Sequence, residues 1–232
     1  MRQIVPGVYL IEGLRISHVY VIVTDDKLIL VDSATANDAD RIVHEIEQAS
    51  FAISDLQAII ITHAHSDHIG SLSELVRRSG AEVWAHRAEV PFVQKKEPMP
   101  AASPVMRLLF RLSDRLAAGQ TAPVVHRALE DGERIEALGG LRVVHTPGHT
   151  PGSICLYAPA HKLLFCGDAM FNVHPLTGRK GLRPAIRLPS CDMEQVRASV
   201  HRLTELEVEI LCPGHGEPIL SGAGEQIKAL VS

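Results

Sequence analysis

No stretch of this chain is long and apolar enough to span a bilayer, and the opening residues Met1-Arg2-Gln3-Ile4-Val5-Pro6-Gly7 lack the apolar core of a secretory signal. A cytoplasmic protein with no transmembrane segment is the expectation. Excess positive charge is missing too. The formal net charge is -4, which argues against the basic face that a general nucleic-acid binder presents to phosphate. The four cysteines, Cys155, Cys166, Cys191 and Cys212, include no C-x-x-C pair, so buried reduced thiols are expected rather than a thiolate metal site. Internal repeats and low-complexity linkers are absent, and 46% hydrophobic against 22% charged residues carries no signature of disorder. The 232 residues therefore read as a single α/β domain over 1–232, with one insertion at about 91–125.

What the chain does have is histidine, concentrated in Thr62-His63-Ala64-His65-Ser66-Asp67-His68-Ile69-Gly70. Before it, Leu56 to Ile61 is a β-branched apolar run that reads as a buried strand. After it, Leu72, Leu75 and Val76 recur at helical spacing. The loop thus leaves a strand end and enters a helix, where side chains can converge in one crevice. His63 and His65, two apart in extended backbone, point to one side, and Asp67 and His68 fall where the chain turns. Neutral imidazole with carboxylate is a donor set for zinc, iron, nickel or manganese.

Around this loop, strands are expected at Val8 to Ile11, His18 to Val23 and Lys27 to Val31, forming an antiparallel meander that ends at Asp32. Asp32 is either a helix cap or a partner behind a metal ligand. A helix follows over residues 36–49, and a strand from Glu82 ends at His86, which reads as structural. Pro98, Pro100 and Pro104 break the insertion before an apolar, basic helix at Val105 to Leu112, with Leu116 beyond and Gly119 as its stop. That helix packs on the domain, pairs with another subunit, lids an apolar substrate or meets amphiphiles. Strands are expected at 133–138, 141–145, 153–157, 162–166 and 208–211, with a hairpin turn at Gly139-Gly140. A helix over 193–206 takes Asp192 as its N-cap.

Three later stretches repeat the pattern of strand followed by a Gly/Pro-rich loop: His145-Thr146-Pro147-Gly148-His149-Thr150-Pro151-Gly152, Phe165-Cys166-Gly167-Asp168-Ala169 and Pro213-Gly214-His215-Gly216. The order His63-x-His65-x-Asp67-His68, His149, Asp168, His215 resembles the metal-binding signature of the metallo-β-lactamase superfamily, over nearly the whole chain. The resemblance implies a four-layer αββα sandwich of the α/β (α+β) class, with two divalent metal ions. By position, His63, His65 and His149 would hold one ion, Asp67, His68 and His215 the other, and Asp168 would bridge them. It further implies a dinuclear hydrolase in which a bridging hydroxide is the nucleophile and Asp67 and Asp168 are catalytic, with zinc as the metal and iron or manganese as alternatives.

Departures from the better-known branches narrow the reading. The Asp67-His68 pair is complete, His65 stands where flavin-linked diiron members carry glutamate, and only a short tail follows His215, unlike glyoxalase II. The chain is then similar to the stand-alone hydrolases, including acyl-homoserine lactonases and glyoxalase II-like proteins, acting on a small ester, lactone or thioester. A mononuclear iron persulfide dioxygenase and a metal-binding non-enzyme are the alternatives. The expected partner is a small molecule with an apolar acyl group, and a homodimer is compatible. Further candidates around the substrate lie in one long loop expected after Asp168: His174 as a general acid, the basic stretch Arg179, Lys180, Arg183 and Arg187, which either meets a substrate anion or is a solvated loop, and Phe171 and Met170 beside Asp168.

Overall fold

Seven short strands hydrogen-bond in strict sequence order: β1 (Arg2–Val5), β2 (Val8–Leu10), β3 (Tyr20–Thr24), β4 (Lys27–Val31), β5 (Leu56–Ile61), β6 (Glu82–His86) and β7 (Arg127–Leu129). The computed structural model describes residues 1–25, 27–101, 103–116, 122–175 and 177–231. Its residues fall into two compact units, one of Met1–Glu97 with Gly119–Leu129, the other of Pro98–Ala118 with Glu130–Ser232.

In the first unit, β1 to β4 run antiparallel and β4 to β7 run parallel. The change of direction follows from the connections. Short turns join the meander, whereas the helix α1 (Ala39–Gln48) carries the chain from β4 back to β5. Leu28, Leu30, Ile59, Ile60 and Ile61 are fully buried, so β4 and β5 are covered on both faces, as their unbroken apolar sequence requires. Each such side chain contributes about 2 kcal/mol on leaving water. Helix α1 buries Ile42, Val43 and Ile46. After α2 (Ser66–Ile69), helix α3 (Leu72–Ser79) buries Leu72 and Leu75 and stops at Gly80, which takes the left-handed conformation. The short α4 (Val90–Val93) follows β6.

Two strands of this sheet escape the sequence reading. β1 is half exposed and shows no clean alternation, and β7 is only three residues long at the far edge, where Arg127 lies over the Trp84 ring at 4.8 Å. The helix expected from residue 36 starts at Ala39. The Asp38 carboxylate accepts hydrogen bonds from the Thr35 backbone and hydroxyl, at 3.0 and 2.6 Å, and holds those residues in a turn.

The second unit opens with α5 (Pro104–Leu116) and builds its main sheet from β8 (Arg134–Ile135), β9 (Leu141–His145), β10 (Ile154–Ala158), β11 (Leu163–Gly167) and, later, β14 (Ile210–Pro213). The spatial order is β14-β11-β10-β9-β8, antiparallel throughout except for the parallel pair β11 and β14. That exception arises because α6 (Met193–Leu203) makes the crossover. Val200 and Leu203 from α6 and Ile227 from α7 (Ala223–Lys228) pack with Val144, Leu164 and Leu211. The expected α5 runs to Leu116, and its proposed stop at Gly119 lies outside the described residues. The strand expected over 133–138 contracts to β8, because Leu138, Gly139 and Gly140 all take positive φ in the turn.

The stretch after Asp168, expected to be one long loop, is instead a hairpin of β12 (Met170–Val173) and β13 (Lys180–Pro184). The His174 N–H closes it by donating to the Arg179 carbonyl at 2.8 Å, and Arg183 donates to the carbonyls of Gly181, Arg179 and Lys180 just before it in the chain. Asp192 caps α6 as expected, accepting from the backbone N–H groups of Glu194 and Gln195 at 2.9 and 3.1 Å. Asp192→Ala is expected to lower the unfolding free energy by about 1 kcal/mol, and Asp192→Ser to restore most of it, in urea melts at fixed metal content.

Candidate metal centre

Each unit carries its own share of the histidine and aspartate set. In the first, Asp32 and Thr62 sit just beyond the carboxyl ends of β4 and β5, which are parallel neighbours, so the two loops leave the same sheet edge. Asp32 takes φ +65, a left-handed backbone that aspartate tolerates better than most residues. There its carboxylate accepts from the Thr62 N–H, the Thr62 hydroxyl and His68 Nδ1, each at 2.8 Å. The carboxylate thus holds Thr62 and His68 rather than a helix end. His63 packs between its neighbours, its ring centroid 4.0 Å from His68 and 4.8 Å from His65.

The loop around these rings is held from several sides. Ala64 N–H donates to the fully buried carboxylate of Glu89 at 2.7 Å, Ser17 Oγ donates to the Asp67 carbonyl, and Ser33 Oγ donates to the His68 carbonyl at 2.8 Å. Gly70 is needed for the last part of the frame: a Cβ there would lie 2.4 Å from the Ala36 nitrogen, so no side chain fits where α2 meets the Asp32 loop.

In the second unit, β9, β11 and β14 all point the same way, and His149, Asp168 and His215 follow their carboxyl ends. His149 Nε2 and His215 Nε2 each lie 3.3 Å from Asp168 Oδ2. Phe171 is buried against both rings, with centroids 6.1 Å from His149 and 5.3 Å from His215. The His149 loop is fixed where Gly148, at φ +124, lies against the start of α6; a Cβ would be 2.3 Å from the Val196 nitrogen. His145 is occupied elsewhere, its Nε2 meeting the Pro151 carbonyl at 2.9 Å and closing the loop.

Following the hydroxyl protons fixes the histidine tautomers. Thr62 Oγ1 gives its proton to Asp32, so at 3.1 Å from His63 Nδ1 it accepts, and His63 carries its proton on Nδ1. His68 donates from Nδ1 to Asp32 directly. Ser190 Oγ gives its proton to the Ile186 carbonyl at 2.6 Å, so at 3.1 Å it accepts from His149 Nδ1. All three rings therefore present an Nε2 lone pair. At His149 that lone pair faces a carboxylate oxygen at 3.3 Å, two electron-rich atoms that a cation between them would reconcile. The donor set fits a divalent metal.

The remaining candidates are placed less centrally. Met170 is buried in the core of the second unit. His174 forms the hairpin turn, its N–H donating to the Arg179 carbonyl at 2.8 Å, while the Arg179 side chain is exposed. His86 accepts from the Ala88 N–H at 3.3 Å, a capping role within the first unit. Sequence reading missed Thr62, Glu89 and Ser190. Thr62 adjoins the motif and was within reach of inspection; Glu89 and Ser190 lie 25 and 41 residues from their partners and carry no local signal.

Residues 13–215 match the family described as the metallo-beta-lactamase superfamily. The chain belongs to that superfamily. A probable metallo-hydrolase of Bacillus subtilis (strain 168), YflN, is 33% identical over 202 residues, which cover 82% of this chain and 76% of the relative. A hydroxyacylglutathione hydrolase of Pseudomonas aeruginosa (strain LESB58) is 35% identical over 118 residues, 50% of this chain but only 34% of that enzyme. Among solved structures, a metallo-beta-lactamase family protein of Thermus thermophilus aligns with a TM-score of 0.74 at 23% identity, covering 99% of this chain and 79% of the other. That likeness shows the expected α/β metallo-β-lactamase fold.

Within this superfamily frame, Asp32→Ala is expected to weaken divalent-metal affinity by about 10- to 100-fold, since it frees the tautomers of two histidines at once. Ser190→Ala, which touches His149 alone, should cost less. Chelator competition against a metal indicator measures both, and equal affinity for Asp32→Ala and wild type would refute the assignment.

Proposed function

We propose that the protein hydrolyses a small ester, lactone or thioester, with His63, His65, His149 and Asp168 serving one divalent cation and Asp67, His68, His215 and Asp168 serving a second. Membership of the superfamily and relatives named as hydrolases support the coarser part, a metal-dependent hydrolase. The observation that supports the cation-holding part is the hydrogen-bond chain ending on Asp32, which engages Nδ1 of His63 and His68 and leaves Nε2 of each ring to donate. Imidazole with carboxylate suits zinc, and zinc is the metal proposed.

When bound, such cations supply a water of lowered pKa and polarise the oxygen of the bond under attack. The side chains then have distinct tasks. Asp67 is 28% exposed and Asp168 only 5%, so Asp67 is the carboxylate that reaches solvent and accepts a hydrogen bond from the attacking water. Asp168, enclosed by His149, His215 and the Phe171 ring, is a fixed anion rather than a mobile base. No cysteine competes as nucleophile. Burial pushes the Cys155 thiol up to about 12 and raises those of Cys166 and Cys212, while Cys191 donates to the Pro100 carbonyl at 3.2 Å. Water is therefore the attacking group in this reading, and no acyl-thiol intermediate forms.

The thioester option is kept because a hydroxyacylglutathione hydrolase is among the relatives, although this chain spans about a third of that enzyme. The test uses protein purified without added metal, with elemental analysis, an oxygen electrode and a panel of esters, lactones and thioesters on one sample. About two zinc ions per chain with hydrolysis and no oxygen uptake is the expected outcome. His65→Ala and Asp168→Ala should each lower turnover by more than about a hundredfold along with metal content. About one iron per chain with oxygen consumption on a persulfide would overturn the proposal.

A further inference from the structure

Helix α5 turns its apolar stripe to solvent. Val105, Leu108, Leu109 and Leu112 recur at i, i+3, i+4 and i+7, and they are 65%, 58%, 50% and 44% exposed. A stripe of that spacing ordinarily covers a core. The same sequence carries Arg107, Arg111 and Arg115 at four-residue intervals, between and beyond the apolar positions. Asp114 is the one acid in the helix, giving three positive charges against one negative in 13 residues. This occurs in a chain whose formal net charge is -4, so the basic character belongs to the helix and not to the protein at large.

We propose that α5 is a membrane-docking element that lays Val105, Leu108, Leu109 and Leu112 into the interface of an anionic lipid surface, to which the net positive charge of the helix draws it. An exposed apolar face on a helix of net positive charge is complementary to such a surface, because the apolar side chains leave water while the charge is attracted to the phosphates. The area available argues against a second copy as the occupant. A helix of 13 residues is about 20 Å long, and two such faces crossing fall well short of the ~1,200 Å² that a stable protein interface buries. Among the described residues no helix is long and apolar enough to cross a membrane, so the attachment is peripheral and reversible. The proposal stands independently of the hydrolase reading.

The test sediments the full chain with phosphatidylcholine vesicles, with and without phosphatidylglycerol, at low and high salt. Anionic vesicles are expected to carry down at least about tenfold more protein than neutral ones, with the difference shrinking as salt rises. The double variant Leu108→Asp/Leu112→Asp should abolish sedimentation, and Arg107→Gln/Arg111→Gln/Arg115→Gln should remove the preference for anionic lipid. Both sets of substitutions lie outside the histidine loops, so unchanged metal content and circular dichroism melts establish that each variant is folded. No sedimentation of the wild type, or sedimentation that neither variant alters, would overturn the proposal. So would a dimer in light scattering that Leu108→Asp/Leu112→Asp splits while the wild type ignores vesicles, which would assign the face to self-association.

Discussion

One buried carboxylate sets the chemistry of the first unit. Asp32 accepts three hydrogen bonds at 2.8 Å, two from Thr62 and one from His68, and through the Thr62 hydroxyl it also determines where His63 keeps its proton. An imidazole that has committed Nδ1 in this way can offer only Nε2, so the direction in which each ring can donate is decided before any metal arrives. The backbone meets that requirement at a cost. Asp32 and Ala34 both take positive φ, and the Asp32 loop is pressed so close to Gly70 that no Cβ could stand there. Backbone hydrogen bonds hold the loop in that path, from the Asp32 N–H to the Ile60 carbonyl at 2.9 Å and from the Ser33 and Gly70 N–H groups to the His68 and Ala34 carbonyls, each at 2.8 Å.

Strand direction explains why the donors collect at sheet edges at all. In the first unit the switch from antiparallel to parallel at β4 aligns the ends of β4, β5 and β6. In the second, the intervening β10 makes β9 and β11 codirectional, and the α6 crossover adds β14 in the same sense. Each parallel relation delivers one more loop to the same edge, which is how donors 66 residues apart in sequence, His149 and His215, come to share one aspartate oxygen. The glycines and prolines of those loops serve approach rather than flexibility, as the contact between Gly148 and Val196 shows.

Much of this was legible in the sequence, and the reasons separate cleanly. The histidine loop, the Asp168 and His215 loops and the strands before them are local patterns, dense in imidazole or β-branched residues, and they read correctly as strand followed by loop. The Asp192 cap is local as well. What failed to show was whatever depended on distant partners. The β12 and β13 hairpin is closed by backbone pairing that begins with the His174 N–H on the Arg179 carbonyl, so a basic stretch that read as solvated loop places Lys180 and Arg183 in an ordered strand. Ser190 and Glu89 look like ordinary polar residues until the fold brings them to His149 and Ala64. β7 depends on an edge position beside β6 that no three-residue segment can announce.

The two units also differ in how their donors are balanced, and that difference bears on folding. In the first, Asp32 is answered by three hydrogen-bond donors, so its charge is met by the protein itself. In the second, Ser190 keeps the His149 proton on Nδ1, which leaves Nε2 and the Asp168 carboxylate facing each other at 3.3 Å as two acceptors. Packing enforces that approach: Gly148 against α6 fixes the histidine, and β11 with Phe171 fixes the aspartate. A cation would convert the repulsion into coordination, and metal affinity and the stability of this unit would then draw on the same contacts. The first unit's histidines are therefore ordered by its own hydrogen bonds, whereas the second unit leaves two acceptors in contact that a cation would reconcile.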